Sequence, residues 1–389
     1  MKDYSRVYAQ VDLSAILHNV NEMKRVIPAD TQILAVIKTD GYGHGAVPIG
    51  RLLEQEPGIW GYGVATAEEG LILRRNGLRK PILVLGATFP EQYRDMAEQG
   101  IRPNVYSLAM AEDMSRALAG TGHGLHVHVK VDTGLSRLGF QVTRKDADEI
   151  AQIAGLEHII LEGLFTHYAK ADAADKSMAE NQLSLFQRMQ RLLQERGVSP
   201  KLTHSSNSAA IIDMPHASMD LVRAGISLYG LLPSDEVDQG RLSLRPALSL
   251  KSRIVFLKEL EEGRAISYGA TYRTDRVQRI ATIPVGYGDG YPRSLSNRGY
   301  VLIRGQRAPI CGRICMDQFM VDVTKIPEAA LMDEVVLVGE SGQERITMEQ
   351  IGRLSGRFHY EFACDLGKRI PRVYLKNGAI VETRDYFGE

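Results

Sequence analysis

The chain has 389 residues with 47 Lys plus Arg against 47 Asp plus Glu, so it carries no net charge. That length exceeds one ordinary core and implies two domains, and the charge balance argues against a nucleic-acid or anionic-membrane surface. The opening MKDYSRVYAQVDLS lacks an apolar signal core and no apolar run reaches spanning length, so a cytoplasmic protein is expected. Three cysteines, Cys311, Cys315 and Cys364, fit a reducing compartment; no histidine lies near the first two in sequence, so no zinc site is expected.

Short apolar strands alternate with amphipathic helices in the first part of the chain. Strands are expected at Leu34–Lys38, Gly61–Ala65, Ile82–Gly86, Pro103–Tyr106, His126–Val131, Glu162–Thr166, Leu202–Ser205 and Leu221–Arg223. Helices are expected at Ala67–Asn76, Pro90–Gln99, Leu108–Ala119 and Ala179–Glu195, the last with Leu183, Phe186, Met189 and Leu193 on one side. Eight such strands predict an α/β fold, a (β/α)8 TIM-type barrel over residues 1–243. The strand Arg6–Val11 precedes the first barrel helix and is free to pair with the second domain.

From about Leu244 the pattern changes to period-two alternation, as in 248–256. Further strand-like runs at Arg279–Val285, Tyr300–Gly305, Phe319–Val323, Asp333–Gly339 and Val373–Leu375 predict a mostly antiparallel β domain over 244–389. One short helix is expected at Met348–Leu354.

The barrel strand ends carry the chemistry. Lys38 follows Ile33-Leu34-Ala35-Val36-Ile37 and precedes Thr-Asp-Gly-Tyr-Gly-His-Gly, so it sits where a core strand opens into a turn. A poorly solvated lysine there presents a neutral amine that can attack an aldehyde. An isolated lysine at such a place would more often simply snorkel, but a tyrosine, a histidine and three glycines converge on this one. Gly41-x-Gly43-x-x-Ala46 also resembles a short dinucleotide fingerprint, a weaker match inside a barrel. Lys130 and Arg137 flank the turn at Gly134, where two cations need a compensating anion; a salt bridge to Asp132 is the simpler account. Asn207-Ser208 begins a helix, and Arg223-Ala-Gly225-Ile226 forms a second glycine turn. Both suit a phosphate, although capping alone would explain the first. In the β domain, glycine-framed tyrosines at 265–272 and 285–291 and the loop 312–318 suggest that it completes a site.

Together these motifs resemble the bacterial alanine racemases, pyridoxal-phosphate enzymes of fold type III. The match runs in order from Ala35-Val-Ile-Lys38 through Lys130-Val-Asp-Thr-Gly134, Arg137, Asn207-Ser208, Arg223-Ala-Gly225-Ile226, Ser267-Tyr268-Gly269, Gly286-Tyr287 and Arg313-Ile-Cys-Met-Asp317. The resemblance implies a homodimer with shared active sites that racemises alanine with two bases and supplies D-alanine for peptidoglycan. Lys38 would carry pyridoxal 5'-phosphate and serve one face of the substrate, and Tyr268 of the partner subunit the other. Arg223 would face the cofactor's pyridine nitrogen, held by His204, with His167 linking towards Tyr268. A permanent cation there weakens the electron sink and so suppresses transamination. Tyr42, Asn207, Ser208, Gly225 and Ile226 would surround the phosphate. Arg137 would meet the cofactor phenolate and the substrate carboxylate, with the backbone N–H of Met316 of the partner subunit reaching the same carboxylate. Lys130 corresponds to a lysine that relatives often carry as a carbamate. Asp172, Tyr287, Arg293 and Arg313 correspond to gate residues. Many relatives place a tyrosine before Arg-Val-Pro-Arg; here Lys368 stands there, which leaves a serine or broader amino acid racemase as the alternative activity.

Overall fold

The computed structural model describes residues 4–387, and they divide into two units. One comprises Ala15–Gly41 and Ala46–Pro246; the other comprises the chain up to Ser14, Tyr42–Gly45 and the chain from Ala247 onward.

The first unit is the barrel. Its parallel strands fall into two runs: Leu221–Ala224, Gln32–Val36, Ile59–Val64, Ile82–Val84 and Ile101–Arg102, then Asn104–Val105, Leu125–Lys130, Ile159–Phe165 and Leu202–His204. The runs are interrupted at Pro103, which has no N–H to give to a ladder. Its carbonyl still accepts from His128 N–H at 3.1 Å, so the stave expected around Pro103–Tyr106 arrives as two short strands. At the other seam Arg223 N–H donates to Ser206 C=O at 2.9 Å. The staves are near-continuous apolar runs, as both-face burial requires: Ile33, Leu34 and Ala35 are wholly buried, as are Val127 and Val129. Around them pack Leu13–Val26, Ala67–Arg75, Leu108–Leu118, Arg144–Ala154 and Ser177–Gln194. Thr66, Ser107 and Thr143 cap three of these helices by accepting from the N–H three residues on. The helix Arg144–Ala154 was not foreseen, although Ala147, Ile150 and Ile153 recur at helical spacing on its buried side.

The second unit is an eleven-stranded, mostly antiparallel sheet among the described residues. Val7–Asp12 lies inside it, antiparallel to Leu248–Arg253 and parallel to Arg372–Lys376. The alternating run 248–256 is not one strand. It breaks at Ile254 into Leu248–Arg253 and Phe256–Leu260, which pair with different neighbours. Gln306–Cys311, Ala379–Arg384 and the helix His359–Asp365 were not anticipated; Pro309 obscures the first, and the second is largely exposed. Met348–Ser355 is helical behind a reciprocal Thr347–Gln350 capping box. No helix among the described residues is long and apolar enough to cross a membrane.

Candidate active site

Strand Gln32–Val36 delivers Lys38 to a turn of unusual hand. Thr39, Asp40, Gly41 and Tyr42 all have positive φ, at 54°, 48°, 64° and 50°. A left-handed conformation costs a non-glycine residue roughly 1–2 kcal/mol, so three of them must be held from outside the turn. The Glu69 carboxylate does so, accepting Thr39 N–H at 2.6 Å and Ala65 N–H at 2.7 Å. Asp40 Oδ1 accepts Ala46 N–H at 2.9 Å, closing the loop within the barrel unit. The glycine-rich stretch was expected to turn sharply; that threonine, aspartate and tyrosine share the left-handed path was not legible.

Lys130 ends its strand buried, its Nζ 4.7 Å from the centre of the Phe165 ring and without a hydrogen-bond partner among the described residues. Burial, and then the charges of Arg223 and Arg137, push its pKa well below that of an ordinary lysine. Asp132 offers no salt bridge: its Oδ1 accepts the N–H groups of Gly134, Leu135 and Ser136, each at 3.0 Å. That carboxylate is committed to shaping the turn, which corrects the simpler account of Lys130 and Arg137. Arg137 is exposed.

Arg223 is the most densely bonded group in the barrel unit. Nη1 donates to His204 Nδ1 at 2.8 Å and to His204 C=O at 3.2 Å. Nη2 faces Thr166 C=O at 2.8 Å, Ser205 C=O at 2.7 Å and His167 Nδ1 at 3.0 Å. Burial lowers its pKa to about 10, which still leaves a cation at neutral pH. Burial first, and then the Arg223 charge, hold His167 and His204 well below the usual histidine range, so both rings are neutral.

Ser208 opens the helix Ser208–Asp213, and its Oγ accepts Gly225 N–H at 3.0 Å, joining the two turns expected to be phosphate-friendly. Asn207 caps that helix through Ala210 N–H at 3.0 Å. Ile226 is buried at the start of the 3-10 turn Ile226–Tyr229, and Asp172 accepts from Ser234 through its backbone carbonyl.

In the β unit, Tyr268 is 71% exposed and lies between Ser267, at φ 65°, and Gly269 and Ala270, at φ 73° and 47°. The two residues expected to act as bases thus both adjoin runs of positive-φ backbone, a feature that concentrates at functional sites. Arg313 packs over Gly269, where an added Cβ would come within 3.0 Å of its Nη1. Gly288 N–H donates to Met316 C=O at 2.8 Å and Tyr287 N–H to Cys315 C=O at 3.1 Å, so the loops carrying Tyr287 and Met316 are stitched together. Tyr42 is buried beside Tyr360, their ring centres 6.2 Å apart. Arg293 and Lys368 are exposed. Sequence reasoning overlooked Arg372, which is buried and donates to the carbonyls of Gly43, Leu366, Gly367 and Ile370. The only signal was its place in the Arg-Ile-Pro-Arg run.

Lys38 follows the first stave of the barrel unit and the buried Arg223 lies on the last. The family described as alanine racemase, N-terminal domain, matches residues 11–233, and its C-terminal domain matches residues 247–374. The chain is 43% identical to the alanine racemase of Desulforamulus reducens over 369 residues, 95% of this chain and 99% of that one. It is 41% identical to that of Clostridium tetani over 381 residues, 98% of each. Among solved structures, the alanine racemase of Clostridium difficile 630 superposes with a TM-score of 0.96 at 42% identity, covering 99% of this chain and 100% of that one. A histidine racemase from Leuconostoc mesenteroides superposes with a TM-score of 0.89 at 32% identity, covering 96% and 99%. The chain belongs to the alanine racemase family and is an isomerase.

Membership carries the pyridoxal-phosphate dependence that the resemblance implied. The residues fit such a group. A buried Ser227 Oγ, without a hydrogen-bond partner among the described residues, lies beside the Ser208–Gly225 contact, where a phosphate needs donors. Lys130 Nζ is similarly uncommitted, and a buried cation stands on the last stave.

Proposed function

We propose that the protein interconverts L-alanine and D-alanine with Lys38 and Tyr268 as the two bases. Racemisation needs one group on each face of the α-carbon, because a single base returns the proton with unchanged handedness. Lys38 would hold the cofactor and handle the proton on one face, and Tyr268 of the partner subunit that on the other, in a homodimer with shared sites. Bound there, pyridoxal phosphate supplies an electron sink that acidifies the substrate α-hydrogen. Tyr42, Ser208, Gly225 and Ile226 would bind its phosphate, with Lys368 adding a point charge. Asn207 serves by fixing the helix start. Arg137 would orient the substrate carboxylate together with the backbone N–H of Met316 of the partner subunit. Asp172, Tyr287, Arg293 and Arg313 would form the gate. Lys130, as a carbamate, would supply the anion beside Arg137 that Asp132 does not.

The observation that carries this reading is the saturation of Arg223 by five acceptors, because a permanent cation at the ring nitrogen favours proton transfer over transamination. Alanine is favoured over serine by relatives named alanine racemases at 43%, 41% and 42% identity. Such an enzyme would act in the cytoplasm and feed peptidoglycan synthesis. The test is chiral product analysis with L-alanine, L-serine and L-histidine, with Lys38→Ala and Tyr268→Phe alongside. Alanine should turn over fastest and both variants should lose racemisation; faster serine turnover, or full activity in both variants, defeats the proposal.

A further inference from the structure

Behind Arg223 a line of polar groups runs through the barrel interior, and beyond His204 none of its members was singled out in sequence. His204 Nε2 lies 2.9 Å from His128 Nδ1, and His128 Nε2 lies 3.4 Å from Glu162 Oε2. Arg102 closes the line, with Nε 2.9 Å from the same oxygen and Nη2 3.4 Å from Oε1. His128 and His204 are wholly buried. The stacking is as specific as the bonding. Phe165 lies on His204 with ring centres 4.7 Å apart and planes 8° from parallel, and Trp60 lies 5.6 Å from His128. Gly163 leaves the space that the His128 ring fills, since a Cβ there would come within 2.4 Å of Nδ1.

Donor and acceptor roles along this line follow from its two ends. Arginine only donates, so His204 Nδ1 must accept and its proton must sit on Nε2. That proton faces His128 Nδ1, which must therefore accept, leaving the His128 proton on Nε2, directed at a carboxylate that only accepts. Reversing either ring would set two N–H groups against each other between two wholly buried side chains.

We infer that Glu162, with Arg102 as its counter-ion, is a positioning residue for the racemase site: through His128 and His204 it fixes a single tautomer order that keeps an unprotonated nitrogen facing Arg223. Glu162 touches neither substrate nor cofactor. Burial would raise its pKa, but the hydrogen bonds of His128 and Arg102 outweigh this and hold it at about 2, so the anchor stays ionised. The consequence for the cofactor rests on the proposal that Arg223 faces the pyridine nitrogen; the tautomer order itself does not.

Neutron diffraction from crystals of the deuterium-exchanged holoenzyme reads the order directly. Deuterium is expected on Nε2 of both His128 and His204; deuterium on Nδ1 of either ring overturns the inference, whatever the substrate is. Two variants then test the link to chemistry. Glu162→Met removes the acceptor, and Glu162→Gln keeps an oxygen for His128. Turnover and the share of half-transamination, read from cofactor absorbance, are compared among protein that has retained cofactor. Glu162→Met should lose roughly tenfold or more in kcat, with KM little changed and transamination raised, and Glu162→Gln should recover most of it. Equal behaviour of the two variants overturns the positioning role. A wild-type protein that shows the expected ring protons but does not racemise alanine would instead defeat the functional proposal and leave the tautomer order standing.

Discussion

Glu69 holds Thr39 by its backbone: the carboxylate accepts the Thr39 N–H at 2.6 Å, one residue beyond Lys38, while its other oxygen takes Ala65 N–H. A helix on the outside of the barrel thus keeps the left-handed turn in place. Glu69→Ala should destabilise the protein by about 1–3 kcal/mol through the lost charge-assisted bonds. Urea denaturation measures this, with the neighbouring Glu68→Ala as control. If the turn positions Lys38 as proposed, the variant should also release pyridoxal phosphate faster on dialysis.

Gly163 faces the His128 ring, and an added Cβ would lie within 2.4–2.7 Å of three of its atoms. Its backbone φ is ordinary, so strain in Gly163→Ala comes from crowding alone. A loss of about 1–3 kcal/mol is expected in chemical denaturation. A variant as stable as the parent would mean that the ring moves freely.

Arg223→Lys keeps a charge but offers three donors where five acceptors now converge. Two buried acceptors left unmade cost about 1–3 kcal/mol each, so a loss of at least about 2 kcal/mol is expected by denaturation. In cofactor-loaded protein, half-transamination should rise relative to racemisation.

Acid should act on the barrel through Glu162. Its folded pKa, about 2, lies below the ordinary glutamate value of 4.5. The unfolded chain therefore binds a proton first, and this stabilisation, complete above 4.5, is lost as pH falls towards about 2. Equilibrium unfolding of Glu162→Gln between those pH values should depend less steeply on pH than that of the parent. The buried neutral histidines act in the same direction at higher pH: the unfolded chain takes up their protons below about 6.5.

The amine of Lys130, which has no hydrogen-bond partner among the described residues, should react with carbon dioxide, since its lowered pKa makes the neutral, nucleophilic form easier to reach. Protein equilibrated with 13C-bicarbonate should show a carbamate carbon resonance that disappears in Lys130→Ala. An unchanged spectrum between the two would remove Lys130 as the anion beside Arg137.

What could be read from residues alone had a local cause. The Ile33–Ile37 run, the glycine turn after it, and the Asn207 cap each depend on neighbours within a few positions. The hidden parts depend on partners distant along the chain. Nothing about His128 and Glu162 in sequence says that they meet; the pairing His128↔Gly163, set by an irregularity after Val127, brings them together. Alternation also failed at Ile254, where one apparent strand divides between two sets of neighbours. The left-handed turn at Thr39 and Asp40 is imposed by Glu69, which appears as an ordinary helix-surface acid.

The sheet of the second unit has a chronology. Val7–Asp12 sits between Leu248–Arg253 and Arg372–Lys376, so it pairs with two segments synthesised long after it. Until those segments are made, that strand has bare edges and an alternating apolar face, a template for wrong partners. The whole barrel sequence is synthesised in that interval. Synthesis of Arg372–Lys376, rather than assembly of the staves, is therefore the event that gives Val7–Asp12 its second neighbour in the sheet.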